Sequence, residues 1–365
     1  MFGAFSASKR NLKPRRPVRD KAGKALAMSM QRFLFAWMLL LVPSVASSLD
    51  VPLNIGGRSV NVYVPPSYDA AQPAAVLVLL HGYGSSGVSH ENYMRFKSLS
   101  DQEGFLYLYP DGTPDCLNPP RKFWNATNAC CNFCGSSVDD VGFLLALLDE
   151  VESQFTVDSQ RIYLVGHSNG GFMSYRMACE ASDRVAAVVS LAGAAVHSSQ
   201  ACNPSDPVHV LQIHGTSDDT ILYGGGNILF SPYPGAVESV ETWADYNGCD
   251  ASPSSPAETL DLDRSIAGAE TVITRYDSLC EEGGSAELWT IPGGGHNPPL
   301  SSDFSREIVD YLLAHPKGGE MVAVPVPAVS NGVALVFVLG TLGFLLLLGR
   351  ERLRVCTGPA PHSGP

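Results

Sequence analysis

Positive charge is scarce in this sequence: 24 Lys and Arg stand against 36 Asp and Glu, a formal net charge of −12. Partners with a phosphate backbone need a cationic face, so nucleic-acid binding is excluded as a function class. The shortage in the folded part is deeper than the total suggests. Lys9, Arg10, Lys13, Arg15, Arg16, Arg19, Lys21 and Lys24 all fall in the first 24 residues, against the single acid Asp20. Internal repeats at solenoid or propeller period are missing too, which excludes those architectures. Metal-ligand spacing is also lacking. Cys130, Cys131 and Cys134 lie close together, but neither their spacing nor a nearby histidine completes a zinc pattern.

Cysteine, by contrast, is plentiful, with nine in the chain. Eight of them (Cys116, Cys130, Cys131, Cys134, Cys179, Cys202, Cys249, Cys280) lie in the presumed globular region. An even number in an exported chain points to disulfides and an oxidising compartment. The N-terminal part fits export: a basic stretch precedes the short apolar run FLFAWMLLLV at 33–42, and small residues follow at 44–48. That is the layout of a secretory signal, with an uncleaved anchor as the alternative. Near the other end, 331–349 (NGVALVFVLGTLGFLLLLG) is uncharged and long enough for a bilayer-crossing helix. Arg350, Arg352 and Arg354 follow it and place that side in the cytoplasm. The expected organisation is a leader and signal over 1–48, a catalytic domain over 49–316 and a stalk over 317–330. A transmembrane helix over 331–349 and a short cytoplasmic tail over 350–365 complete it. The catalytic domain would then be secreted or displayed on the outer face of a membrane, in type I topology.

Between the ends, apolar β-like runs alternate with helical patterns, as in a mostly parallel sheet with helices on both faces. Strands are expected over 60–64, 75–80, 105–109, 162–165, 186–191, 208–213 and 286–291. Helices are expected over 138–155, 170–181, 237–247 and 302–314. Leu144, Leu147, Leu148 and Val151 recur at helical spacing in the first helix. Asp139 or Asp140 at its start reads as an N-cap.

Gly166-His167-Ser168-Asn169-Gly170 lies between one such strand and one such helix. This is the pattern of a nucleophile elbow, a turn so tight that the residues flanking the serine must be small. A serine hydroxyl is a weak nucleophile and needs a base. The base and its acid follow the serine in this fold, in the order acid, then histidine. His214-Gly215-Thr216-Ser217-Asp218-Asp219 comes after a strand and offers Asp218, with Asp219 competing. Gly293-Gly294-Gly295-His296 follows the last strand and offers His296. Asp218 would orient His296, which would take the Ser168 proton and then return it to the leaving alcohol. Leu80-His81-Gly82-Tyr83-Gly84 ends an early strand, and the backbone N–H groups of Tyr83 and Asn169 would hold the oxyanion. His81 is expected at the substrate site, where it fixes that turn. This chemistry needs neither a cofactor nor a metal.

Together, His81-Gly82, Phe123-Trp124-Asn125, the 138–143 segment VDDVGF, GHSNGG at 166–171, His214-Gly215-Thr216 and Gly294-Gly295-His296 resemble the polyhydroxybutyrate depolymerase and feruloyl esterase family of α/β-hydrolases. The resemblance runs from about residue 53 to 315 and excludes both apolar ends. It implies hydrolysis of carboxylic esters: hydroxyalkanoate oligomers, feruloyl or acetyl groups on plant polysaccharide, or small synthetic esters. It further implies disulfides between Cys179 and Cys202 and between Cys249 and Cys280, with Cys116 pairing inside the 130–134 group. It sets Trp124 near the acyl pocket, although a core tryptophan is the alternative. Many relatives carry Trp-Pro shortly after the histidine, whereas here Asn297-Pro298-Pro299 follows, removing an aromatic wall. Asn125-Ala126-Thr127 is an N-glycosylation sequon. Alternative functions on the same chain are an acyltransferase or peptidase using the same triad, and a non-catalytic surface recognition protein keeping the fold.

Overall fold

The computed structural model describes residues 47–197 and 202–318. The expected signal segment at 33–42, most of the stalk, the apolar segment at 331–349 and the basic tail lie outside the described residues. Among the described residues, no helix is long and apolar enough to cross a membrane.

The chain opens with β1 (Leu49–Ile55), β2 (Arg58–Val64) and β3 (Ala74–Leu80), then helices α1 (Gly87–Met94) and α2 (Lys97–Glu103). Strand β4 (Leu106–Leu108) and the two-residue strands β5 (Thr113–Pro114) and β6 (Lys122–Phe123) precede α3 (Asp140–Gln154) and β7 (Val157–His167). Next come α4 (Asn169–Glu180), β8 (Ala187–Leu191), β9 (His209–Gly215), the hairpin β10 (Gly226–Ile228) and β11 (Ser231–Tyr233), and α5 (Ala236–Tyr246). The last elements are β12 (Thr259–Leu260), β13 (Thr271–Tyr276), β14 (Ser285–Ile291) and α6 (Phe304–Ala314).

Ten strands form one sheet in the order β1-β2-β4-β3-β7-β8-β9-β14-β13-β12. The six from β4 to β14 run parallel, and antiparallel strands close both edges. This mixed, mostly parallel sheet is that of an α/β-hydrolase fold. The central strands read as unbroken apolar runs because each face meets its own core. In β3, Val76, Val78 and Leu80 join a core with residues of α3, α4 and α5. Ala75, Leu77 and Leu79 alternate to the opposite face, where they pack with Met94, Leu99, Phe304, Ile308 and Leu312 around α1, α2 and α6. Both faces of the parallel strands are therefore covered, as such strands require.

Within the described residues, every strand and helix expected there is present, with ends shifted by a few residues. Strand β7 is the largest shift: it starts five residues before the expected Ile162, where Val157 pairs with Ala74 across an irregularity in register. Strands β1 and β13 and helices α1 and α2 were not legible in the pattern. Strand β1 contains Pro52, which a ladder tolerates only at a sheet edge, and there it lies. Helix α1 has eight residues and little apolar periodicity; the Ser86 side chain caps it by accepting from Ser89 N. Asp139 is the N-cap of helix α3 and accepts from Gly142 N at 2.8 Å. Asp140 is buried, pairs with Arg58 at 2.8 Å and accepts from Asn125 N at 2.8 Å.

Disulfides join Cys179 to Cys202 and Cys249 to Cys280, as the resemblance implied. In the cluster, Cys116 pairs with Cys134, and Cys130 pairs with its neighbour Cys131. All three clustered sulfurs are thus consumed by disulfides and are not thiolate ligands. Among the described residues, no group of three or more His, Cys, Asp or Glu assembles in a way that could hold a metal ion.

Candidate active site

Parallel register sends the C-terminal ends of β3, β7, β9 and β14 to one rim of the sheet. Leu80 pairs with Gly166, His167 with Leu191, Leu191 with Ile213, and Gly215 with Ile291. The loops after β3, β7, β9 and β14 carry Tyr83, Ser168, Asp218 and His296, so residues far apart along the chain emerge side by side.

Ser168 occupies the turn between β7 and α4 with φ 52° and ψ −118°. A non-glycine residue held there costs about 1–3 kcal/mol, which the surrounding packing must offset. Its amide donates to Leu191 O at 2.8 Å, and its carbonyl accepts from Phe172 N at 3.0 Å. Space in the turn is as tight as the sequence demanded. A Cβ on Gly166 would lie 2.0 Å from Gly170 O, and one on Gly170 would lie 2.0 Å from Leu80 O. No side chain fits either position without moving backbone.

The Ser168 Oγ lies 3.0 Å from His296 Nε2, and His296 Nδ1 lies 2.8 Å from Asp218 Oδ2. Asp219, the competing acid, is exposed, and Thr220 Oγ1 donates to it at 3.2 Å, so it does not reach the histidine. Asp218 is 4% exposed, and its other oxygen accepts from Thr220 N and Ile221 N, each at 2.9 Å. Burial alone would raise its pKa, but hydrogen bonds from His214 and His296 outweigh that and hold the carboxyl well below the usual carboxylate range. The site therefore keeps a fixed anion beside His296.

His214 was legible as part of the His-Gly-Thr motif, but its role was not. It is buried, with Nε2 2.8 Å from Ile221 O and 3.3 Å from Asp218 Oδ2. The Gln212 amide nitrogen sits 2.9 Å from His214 Nδ1 and donates to Gly193 O at 2.9 Å, while Gln212 Oε1 accepts from Tyr175 at 2.9 Å. An amide N–H facing Nδ1 leaves the ring proton on Nε2, directed at Ile221 O and Asp218. His214 thus helps hold Oδ2, the same carboxylate oxygen that faces His296.

The Tyr83 and Asn169 amides flank the same rim. Neither donates to a protein acceptor among the described residues. The Asn169 side chain is buried and grips the Trp124 backbone in both directions: Oδ1 accepts from Trp124 N at 2.7 Å, and Nδ2 donates to Trp124 O at 2.9 Å. The Tyr83 hydroxyl donates to Asp115 at 2.5 Å, and burial together with that carboxylate pushes it up to about 12.

Two expectations need correction. Trp124 is fully buried; it stacks with Phe143, donates from Nε1 to His81 O at 3.0 Å, and presents no surface to a substrate. His81 is also fully buried. Its Nε2 accepts from Gly112 N at 2.8 Å and its Nδ1 lies 2.8 Å from Gly82 O, so it shapes the turn and does not touch substrate. Asn125, in the sequon, donates from Nδ2 to Val138 O at 2.8 Å, and its Oδ1 accepts from Asn132 at 3.1 Å. The half-buried Asn125 thus ties its loop.

Residues 67–233 match the Phospholipase/Carboxylesterase family model. The match includes Ser168 and Asp218 and stops short of His296. Feruloyl esterase B of Piromyces equi is 29% identical over 250 residues, covering 66% of this chain and 42% of that protein. Probable feruloyl esterase C of Aspergillus niger is 30% identical over 213 residues, covering 57% of this chain and 67% of that protein. The chain thus spans less than half of the first relative and about two thirds of the second. Among solved structures, an acetyl xylan esterase from Aspergillus awamori aligns over 72% of this chain and 98% of its own, at 17% identity and a TM-score of 0.48.

Proposed function

The chain belongs to the phospholipase/carboxylesterase family of serine α/β-hydrolases, and from that premise we propose that it hydrolyses carboxylic esters through an acyl-enzyme on Ser168. The observation that carries the proposal is the unbroken line of contacts, 3.0 Å from Ser168 Oγ to His296 Nε2 and 2.8 Å from His296 Nδ1 to Asp218.

Asp218, fixed as an anion, accepts a hydrogen bond from Nδ1–H of His296 and so leaves the Nε2 lone pair toward the serine. His296 removes the Ser168 proton as Oγ attacks the ester carbonyl, and the Tyr83 and Asn169 N–H groups bind the resulting oxyanion. His296 then protonates the departing alcohol. Water, deprotonated by the same ring, attacks the acyl-enzyme, and the ring returns that proton to Ser168 Oγ as the acid leaves. The dipole of α4, which begins at Asn169, also favours the developing negative charge.

The substrate reading is an acyl ester on plant polysaccharide or a short hydroxyalkanoate oligomer. Names of the similar proteins support feruloyl and acetyl esters. The Asn297-Pro298-Pro299 segment supplies no aromatic wall beside His296, which favours the smaller acyl groups. Four disulfides suit maturation in the secretory pathway. Display on the outer face of a membrane through 331–349 rests on the sequence of that segment.

The deciding experiment is hydrolysis of p-nitrophenyl acetate and butyrate by the purified protein and by Ser168→Ala. Turnover by the wild type and its loss in a folded Ser168→Ala variant are expected; retained turnover in the variant removes the serine from the mechanism. Acetylated xylan hydrolysed faster than methyl ferulate supports the acyl preference, and the reverse order refutes it. Truncation after residue 319 should release the protein from membranes, and continued retention would reassign the anchor.

A further inference from the structure

The residue just before the nucleophile, His167, is buried and takes no part in the proton path described above. Its Nε2 lies 2.9 Å from the backbone carbonyl oxygen of His296, and its Nδ1 lies 3.0 Å from Nε2 of His90, a buried residue of α1. His90 Nδ1 is in turn 3.0 Å from Ser85 Oγ.

Donor and acceptor rules constrain where the protons sit. A carbonyl oxygen only accepts, so His167 Nε2 carries a proton. With a neutral ring, His167 Nδ1 is then a lone pair, and His90 Nε2 must donate to it. His90 Nδ1 becomes an acceptor, and the Ser85 hydroxyl donates. One proton arrangement therefore satisfies all three contacts with both rings uncharged. A fourth contact, Gly82 N to His90 Nε2 at 3.2 Å, belongs to a different arrangement, because that nitrogen cannot accept while it donates. Accepting from Gly82 would force a second proton onto His167 and a charge into a dry site. Burial, reinforced by the neighbouring imidazoles, pushes His90 down to about 3 and His167 down to about 4, which keeps both rings neutral at pH 7.

The segment so held has little stiffness of its own. Three consecutive glycines precede His296, and a Cβ at Gly295 would meet nothing within 4 Å. Upstream, the loop is tied by Ser217 N to Gly294 O at 2.9 Å and by Gly293 N to Thr216 Oγ1 at 2.8 Å. Downstream, the Tyr93 hydroxyl donates to Pro298 O at 2.7 Å, and the Tyr93 ring packs edge-on against both His90 and His167. The His296 carbonyl lies between these ties and has His167 as its donor.

We propose that Ser85, His90 and His167 form a directional hydrogen-bond chain that positions the catalytic histidine by its main chain, while Asp218 orients it by its side chain. His90 and His167 are positioning residues in this scheme and do not touch substrate. The inference rests on the esterase reading for its kinetic consequence, but its proton arrangement stands apart from that reading and is tested separately.

Two measurements decide it. Imidazole nitrogen shifts in a ¹⁵N-histidine NMR spectrum at pH 7 should show His90 and His167 as neutral Nε2–H tautomers; an Nδ1–H tautomer or a charged ring at either position overturns the chain. Kinetically, a loop displaced by about 1 Å loses roughly 100-fold in rate. His167→Leu should therefore lower kcat by about that factor while KM changes less than about two-fold, and His167→Gln, which keeps an N–H donor, should recover most of the loss. His90→Leu should act in the same direction more weakly, with rescue by His90→Gln. Equal kinetics for the Leu and Gln variants at position 167, or a loss appearing in KM, overturns the positioning role. Melting curves of each pair at pH 8 separate slow turnover from a smaller folded fraction.

Discussion

His209 provides a test of the fold that is independent of catalysis. It opens β9 at the end of the strand opposite the triad, is 4% exposed, and has Nδ1 2.7 Å from Ser285 Oγ. Burial, assisted by His315 nearby, pushes it down to about 3 from an ordinary value of 6.5. Its folded pKa is thus depressed, so below pH 6.5 the unfolded chain binds a proton that the folded one refuses. Stability must fall as pH falls through that window. From pH 8 to pH 5 the loss from this one ring is about RT ln(1 + 10^1.5), roughly 2 kcal/mol. His209→Gln removes the titration and costs about 1 kcal/mol for the lost Ser285 hydrogen bond. The variant should therefore be about 1 kcal/mol less stable at pH 8, equal near pH 6 and about 1 kcal/mol more stable at pH 5. Guanidinium unfolding of both proteins at pH 8, 6 and 5 measures this directly, and the buried histidines that do not contact residue 209 cancel in the difference. Curves that stay parallel from pH 8 to 5 would refute the account, because they would mean that His209 takes up its proton equally in both states.

Further outcomes follow from the site and its supports. Asp218→Asn should fold normally and lose about 10³–10⁴ in kcat, since an amide does not hold His296 in the tautomer the serine needs; steady-state kinetics above pH 7 check it. Asp219→Asn should change kcat less than about two-fold, because its carboxylate does not touch His296. Gly166→Ala should give little soluble enzyme or destabilise the fold by several kcal/mol, because the added methyl would sit 2.0 Å from Gly170 O; thermal melts and soluble yield report it. Replacing both Cys249 and Cys280 with Ser reopens a loop of sequence separation 31 and should cost about 3–4 kcal/mol by denaturant unfolding, with little effect on kcat in the folded fraction.

Much of this molecule was decided locally along the chain. Runs such as Ala75 to Leu80 had to be central strands, because only a strand buried on both faces tolerates unbroken apolar sequence. Gly166 and Gly170 around Ser168 signalled an elbow because steric exclusion in a tight turn depends on near neighbours alone. Local chemistry likewise put an acid after β9 and a histidine after β14. Loop spacing already favoured Asp218 over Asp219, but the contact that separates them is tertiary, because it depends on which carboxylate lies within 2.8 Å of a ring 78 residues away. The structure also moved Trp124 and His81 from the expected substrate pocket into the interior, since burial is a property of the packed molecule and not of a motif. His90, Gln212 and the role of His214 were invisible beforehand for the same reason: a hydrogen-bond partner is defined by proximity and proton position, and sequence spacing encodes neither when the partners come from different strands and helices.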